Sequence, residues 1–163
     1  MTLDVLIEDA RWDAVALEAL VAKCEAATLG MLGLDVDVCE GSVLACDDAK
    51  IKELNAGFRE KDKATNVLSW PAEERGADAG CVPDLPVADV FGGIELGDIA
   101  ISYDTCVSEA QSADRPLEHH VTHLVVHGIL HLLGYDHIND ADAALMERLE
   151  TELLETLSIP DPY

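Results

Sequence analysis

The stretch HLVVHGILHLLGYDH, His123 to His137, admits fewer ways to fold than any other part of this chain. His123, His127 and His131 stand four residues apart with mainly apolar residues between them. A helix turns about 100° per residue, so side chains at this spacing are offset by only about 40° and stack along one face. Arg115-Pro116 suits the opening of such a helix, because proline is tolerated in a first turn, and an apolar stripe runs from Leu117 to Leu133 until Gly134 stops it. All six histidines lie between positions 119 and 137. A concentration of that kind needs a local cause.

Imidazoles at i and i+4 can reach one cation, and zinc takes neutral ring nitrogens in a tetrahedral array. A third ligand has to come from elsewhere. Gly134 lies three residues after His131 and can adopt the left-handed conformation that ends a helix and folds the chain back, returning His137 toward the same ion. A lone histidine here would read as a satisfied core residue; three in this frame with the matching glycine read as metal ligands. Three protein ligands leave a fourth position for water, which is the arrangement of catalytic rather than structural zinc, so hydrolysis or a related transfer is the natural chemistry. His123 shares the ligand face one turn earlier, where supporting, substrate or packing contacts are all open. His119 and His120, beside Glu118 in the first turn, are expected to be exposed and without a role.

The frame H-x-x-x-H-x-x-G-x-x-H also serves one class of zinc proteases. Those enzymes carry a glutamate after the first histidine as general base, and Gly128 stands in its place here, which weighs against peptide hydrolysis.

Charge narrows the partners. The net charge of −23 argues against broad attraction to a polyanion, which binds by having its phosphates neutralised. The bases are not evenly spread, however. Lys50, Lys52, Arg59, Lys61 and Lys63 oppose only Glu53, Glu60 and Asp62, a local charge of +2 that leaves −25 on the remainder. Five cysteines with no C-x-x-C pair suit neither a disulfide framework nor a thiolate zinc site, and read as reduced, mostly buried hydrophobes. No apolar run approaches a membrane span, and MTLDVLIEDARW lacks the basic, apolar pattern of a secretory leader, so a cytoplasmic, membrane-free address is expected.

The remaining pattern predicts a strand over Leu3–Ile7, a helix from Trp12 to about Leu29 capped near Asp13 and stopped by Gly30, and strand-like residues from Leu34 to Cys46 broken by a bulge or turn at Glu40-Gly41. A short helix from about Ala49 to Gly57 should end in the basic loop. An Asn66–Trp70 strand closed by Pro71 follows, then a glycine- and proline-rich surface loop from Ala72 to Gly93. A strand over Ile94–Ser102, a helix over Tyr103–Ser112 and a last amphipathic helix over Asp140–Leu157 complete the chain. With 163 residues, 49% of them hydrophobic, and no internal repeat or linker, this predicts one domain of α+β class: a single mixed β-sheet packed with helices, the metal site at the end of a C-terminal helix.

HGILHLLGYDH, together with LNAGFREKDKATNVLSWP (Leu54 to Pro71) and LGDIAIS (Leu96 to Ser102), resembles the YbeY rRNA maturation factors, and the resemblance runs in order from about Leu54 onward. It implies a single-strand-specific, metal-dependent endoribonuclease acting in 16S rRNA 3′ end maturation and ribosome quality control. It further implies one zinc ion on His127, His131 and His137, a functional role for Arg59 at the substrate, and a place for His123 beside the site. A guanidinium presents a planar fork that binds phosphate at two points, which suits Arg59 to that role, while Lys61 and Lys63 would steer RNA locally. Trp70 reads as a packing or base-stacking residue. The acidity implies weak binding of free RNA, and recognition on a ribosomal particle or beside a ribosome-associated protein with a basic surface. The competing readings are a zinc peptidase or other metal hydrolase, and a non-enzymatic ribosome-associated factor.

Overall fold

In a computed structural model that describes residues 3–163, four strands form one sheet in the order β1-β2-β4-β3: β1 (Leu3–Ile7), β2 (Cys39–Cys46), β3 (Val67–Pro71) and β4 (Ile94–Ser102). The first three in that order run parallel, and β3 is antiparallel to β4 at the sheet edge. Five helices pack on it: α1 (Leu17–Met31), α2 (Asp48–Arg59), α3 (Tyr103–Ser112), α4 (Leu117–Leu132) and α5 (Asp140–Thr156). This is the mixed-sheet α+β arrangement expected. The irregularity anticipated at Glu40-Gly41 is a register shift between β2 and β4, and Gly41 is needed there because a Cβ would run into the Gly97 carbonyl and the Leu3 side chain. Of the opening MTLDVLIEDARW, Met1 and Thr2 lie outside the described residues.

The sheet's two faces carry unequal loads. Val43, Ala45, Ile99 and Ile101 point into the main core with Leu17, Val21, Val125, Ile129, Met146 and Leu154 from α1, α4 and α5. On the opposite face Cys46, Leu68 and Ala100 pack against Ile51 of α2. Trp70 belongs to this second cluster and meets Phe58 edge-on at 5.8 Å, so of the two roles expected for it, packing is the one observed. Because α4 lies in the main core, its inner side is apolar, and beyond its first turn only His123, His127 and His131 are not buried.

Four boundaries differ from the sequence reading by two residues or more. The first helix does not begin at Trp12: Ala10–Val15 is a separate 3-10 turn capped by Asp9, and Ala16 interrupts it in the left-handed region (φ 48°). Trp12 causes this break, because its buried indole donates to the Cys46 carbonyl at 3.0 Å and orients the turn independently of α1. At the far end the helix runs through Gly30; Gly33 (φ 79°) reverses the chain, with the Leu34 amide donating to the Leu29 carbonyl at 2.8 Å. The stretch after it forms a 3-10 turn, Val36–Val38, before the strand starts at Cys39. Finally, α2 continues to Arg59 and turns at Glu60 (φ 57°), so Arg59 sits on a helix end rather than in a loop. Asn55 shapes the basic turn that follows: its carbonyl accepts from the Lys61 amide at 3.2 Å, and its side chain donates to the Lys63 carbonyl at 3.0 Å.

Candidate metal centre

The helix α4 ends in the turn that the glycine foretells. Tyr135 donates its amide to the Leu130 carbonyl at 3.1 Å and Gly134 to the His131 carbonyl at 3.0 Å, with Gly134 at φ 102°. A side chain at 134 would be strained by that φ and would also collide with the Arg75 backbone, so the glycine serves two purposes. Arg75 in turn ties the 72–93 loop to this end of the helix, donating to the Leu132 carbonyl at 2.9 Å, the Glu95 carbonyl at 2.7 Å and the Leu96 carbonyl at 3.2 Å. Past the turn His137 comes back over the helix, with its ring stacked on His127 at 5.3 Å and 5.1 Å from that of His131. One ring nitrogen from each of the three lies within 4.8 Å of the others.

Hydrogen bonding decides how these rings are protonated. Glu150, fully buried on α5, faces His127 Nδ1 through one carboxylate oxygen; the other oxygen faces His123 Nε2 at 3.0 Å and accepts from the Tyr163 hydroxyl. Burial by itself would raise the Glu150 pKa, but these hydrogen bonds prevail and hold it down at about 2. An ionised carboxylate only accepts, so His127 must carry its proton on Nδ1. The Tyr135 carbonyl likewise only accepts, and it faces His131 Nδ1 at 2.9 Å. Burial, helped by the neighbouring His127, pushes the His131 pKa down to about 4 and keeps that ring neutral near pH 7. With a single proton on each ring, both Nε2 atoms keep a lone pair, and they face one another at 2.9 Å. Two acceptors that close repel unless a cation lies between them, and neutral imidazoles held through Nδ1 are the donors zinc takes. The residues fit a metal ion.

A second grouping, His123, His127 and Glu150, is also close enough to chelate. It lies behind the first, because Glu150 is fully buried with both oxygens engaged, whereas His127, His131 and His137 open onto a cleft of about 680 Å³. This places His123 on the supporting side, against Glu150. Position 128 faces elsewhere: a Cβ there would meet Ile99 at 3.0 Å, so a glutamate at this site would point into the sheet. His120, expected to be exposed, is buried and pairs with Glu109 of α3 at 2.9 Å, because α3 packs along the start of α4. His119 is partly buried.

Across the cleft stand Arg59, Lys61 and Lys63, all exposed. The Arg59 guanidinium donates from Nη2 to the Ser69 carbonyl of the edge strand β3 at 2.6 Å, which pins it at the rim. Four cysteines are buried; burial pushes the Cys24 and Cys46 thiols up to about 12, leaving them protonated and unsuited to metal binding. No described helix is long and apolar enough to cross a membrane.

Two residues of the centre escaped the sequence reading. Glu150 did leave a signal: it shares the buried face of α5 with Met146, Leu153 and Leu154, where a carboxylate without partners would be costly. Tyr163 left none.

The fold and site define an α+β protein with an open three-imidazole centre able to bind a metal, facing a basic cleft wall. Residues 5–158 match the family model described as Endoribonuclease YbeY. Relatives of that name include one from Ruegeria sp. (strain TM1040), 59% identical over 100% of this chain and 96% of its own, and one from Ruegeria pomeroyi, 56% identical over 100% and 98%. A Thermotoga maritima protein solved in solution shares the fold at 23% identity, with a TM-score of 0.58 over 96% of this chain and 92% of its own. The chain belongs to the YbeY endoribonuclease family.

Proposed function

We propose that this chain is a single-strand-specific, metal-dependent endoribonuclease of the cytoplasm, acting in 16S rRNA 3′ end maturation and ribosome quality control. Family membership supports the reaction class. The observation that carries the metal dependence is the convergence of His127 Nε2 and His131 Nε2 to 2.9 Å, with a ring nitrogen of His137 close enough to share an ion with them. These three histidines would hold zinc, which supplies a Lewis acid at the floor of the cleft.

The protein's own groups define what happens around it. Glu150 and the Tyr135 carbonyl hold the two helix imidazoles in one tautomer and one orientation. Arg59, with one amino group anchored on Ser69, keeps its remaining N–H donors for a phosphate in the cleft, where they stabilise charge building on the non-bridging oxygens. Lys61 and Lys63 draw the backbone toward that rim against an otherwise repulsive surface. The same acidity suits a substrate presented on a ribosomal particle, beside a ribosome-associated protein with a basic surface. A peptidase reading loses ground, since position 128 faces Ile99 rather than the cleft.

The test assays purified, metal-quantified protein on single-stranded RNA and on a peptide library, with Arg59→Ala and His127→Ala alongside. RNA cleavage lost in both variants with folding retained is the expected result. Peptide cleavage, or RNA cleavage indifferent to both changes, overturns the proposal. Product ends identify the attacking group, because a 2′,3′-cyclic phosphate excludes direct attack by water.

A further inference from the structure

The segment after α5 reaches back to the rear of the metal centre. Ser158 (φ 62°) reverses the chain, with the Ile159 amide donating to the Leu154 carbonyl at 2.8 Å. Arg115 then clamps the segment by donating from Nη2 to the Pro162 carbonyl at 2.6 Å. The Tyr163 amide bonds the Asp161 carboxylate at 2.9 Å, and the Tyr163 ring lies edge-on to His123 at 5.6 Å. Its hydroxyl donates to the Glu150 oxygen that His123 also contacts. Glu150 thus has three polar neighbours, and only Tyr163 comes from outside α4.

We infer that Tyr163 is a positioning residue for His127, acting through Glu150. A buried carboxylate needs donors on both oxygens, since a carboxylate left short of a donor is free to rotate and loosens its hold on the other partners. The two oxygens have different duties: one orients the ligand His127, and the other is occupied by His123 and Tyr163. The Tyr163 hydroxyl keeps the carboxylate plane turned so that its first oxygen stays on His127 Nδ1. The residue itself is 59% exposed, so its burial contributes little to the fold. Its value lies in the hydroxyl.

This inference rests on the reading that His127, His131 and His137 hold zinc, and its test reads metal affinity rather than turnover. Zinc is titrated into the metal-free full chain against a chromophoric chelator, for wild type, Tyr163→Phe, Glu150→Gln and the double variant, with thermal unfolding of each metal-free form. Loss of an outer hydrogen-bond partner weakens metal binding about 10- to 100-fold, which is expected for Glu150→Gln, and Tyr163→Phe, one bond further out, should weaken it about threefold to tenfold. The metal-free midpoint of Tyr163→Phe should match wild type, and adding it to Glu150→Gln should bring no further loss. Wild-type affinity in Tyr163→Phe overturns the inference alone, as does additivity in the double variant or a drop in the metal-free midpoint that accounts for the loss. A wild-type chain that takes up no zinc overturns the metal reading and this inference together.

Discussion

The two walls of the cleft are built on opposite plans. On the histidine wall the helix residues are held in place: His127 by Glu150, His131 by the Tyr135 carbonyl, and the end of the helix by the Arg75 guanidinium on the Leu132 carbonyl. On the facing wall Arg59 has one backbone acceptor, and Lys61 and Lys63 are exposed. A metal centre gains from side chains that cannot reorganise, because affinity depends on lone pairs already converging. A surface that takes a flexible polyanion gains from long side chains that adapt, and phosphate attraction tolerates loose geometry. Rigid wall and adaptable wall should therefore fail differently.

The largest difference is expected between their central residues. His131→Ala should abolish stoichiometric zinc uptake, measured by elemental analysis after dialysis, while Arg59→Ala retains the metal in full. Zinc lost from both would show that the walls are not separate. Arg59→Ala should then lower kcat/KM on single-stranded RNA about 10²- to 10³-fold, the usual effect of removing a donor to developing charge, with Arg59→Lys recovering only part. Full recovery by lysine would reduce the role of Arg59 to simple charge.

The rigid wall also carries a pH signature in metal-free protein. With a folded pKa of about 4 against 6.5, His131 binds fewer protons folded than unfolded throughout that interval, so stability falls as pH falls across it. Glu150, at about 2 against 4.5, extends the loss to lower pH by the same sign. Unfolding free energies from urea titrations at pH 7 and pH 5 should differ by about 2 kcal/mol through His131. A flat profile in wild type, or an equal loss in His131→Gln, would contradict this origin.

The smallest effect belongs to the adaptable wall. Lys63→Gln should reduce the salt dependence of single-stranded RNA binding by about 0.7 in slope, one phosphate contact, with little change in affinity at high salt. An unchanged slope would remove Lys63 from the RNA path.

Legibility in the sequence followed the range of the interaction responsible. The strand Ile94–Ser102, the helix Tyr103–Ser112 and the histidine helix with its stop at Gly134 were readable because periodicity and a left-handed glycine act within a few residues. The start of α1 was misread because Trp12 answers to a carbonyl at the end of β2. His120 was read as exposed because only the packing of α3 on α4 brings Glu109 against it. Arg59 was identified by type and resemblance, yet its position at the rim depends on Ser69 of an edge strand. Glu150 went unnoticed, since a carboxylate on an amphipathic helix is ordinarily solvated.

By itself the sequence determined that three imidazoles share a helix face and the bend beyond it, because helical pitch and the backbone freedom of glycine are local properties. Only the tertiary structure decided which nitrogen of each helix ring is free to bind a metal. Glu150, Tyr163 and the Tyr135 carbonyl make that choice, and two of them arrive only when α5 and the segment after it dock on α4, at separations where no repeating pattern in the chain records the contact.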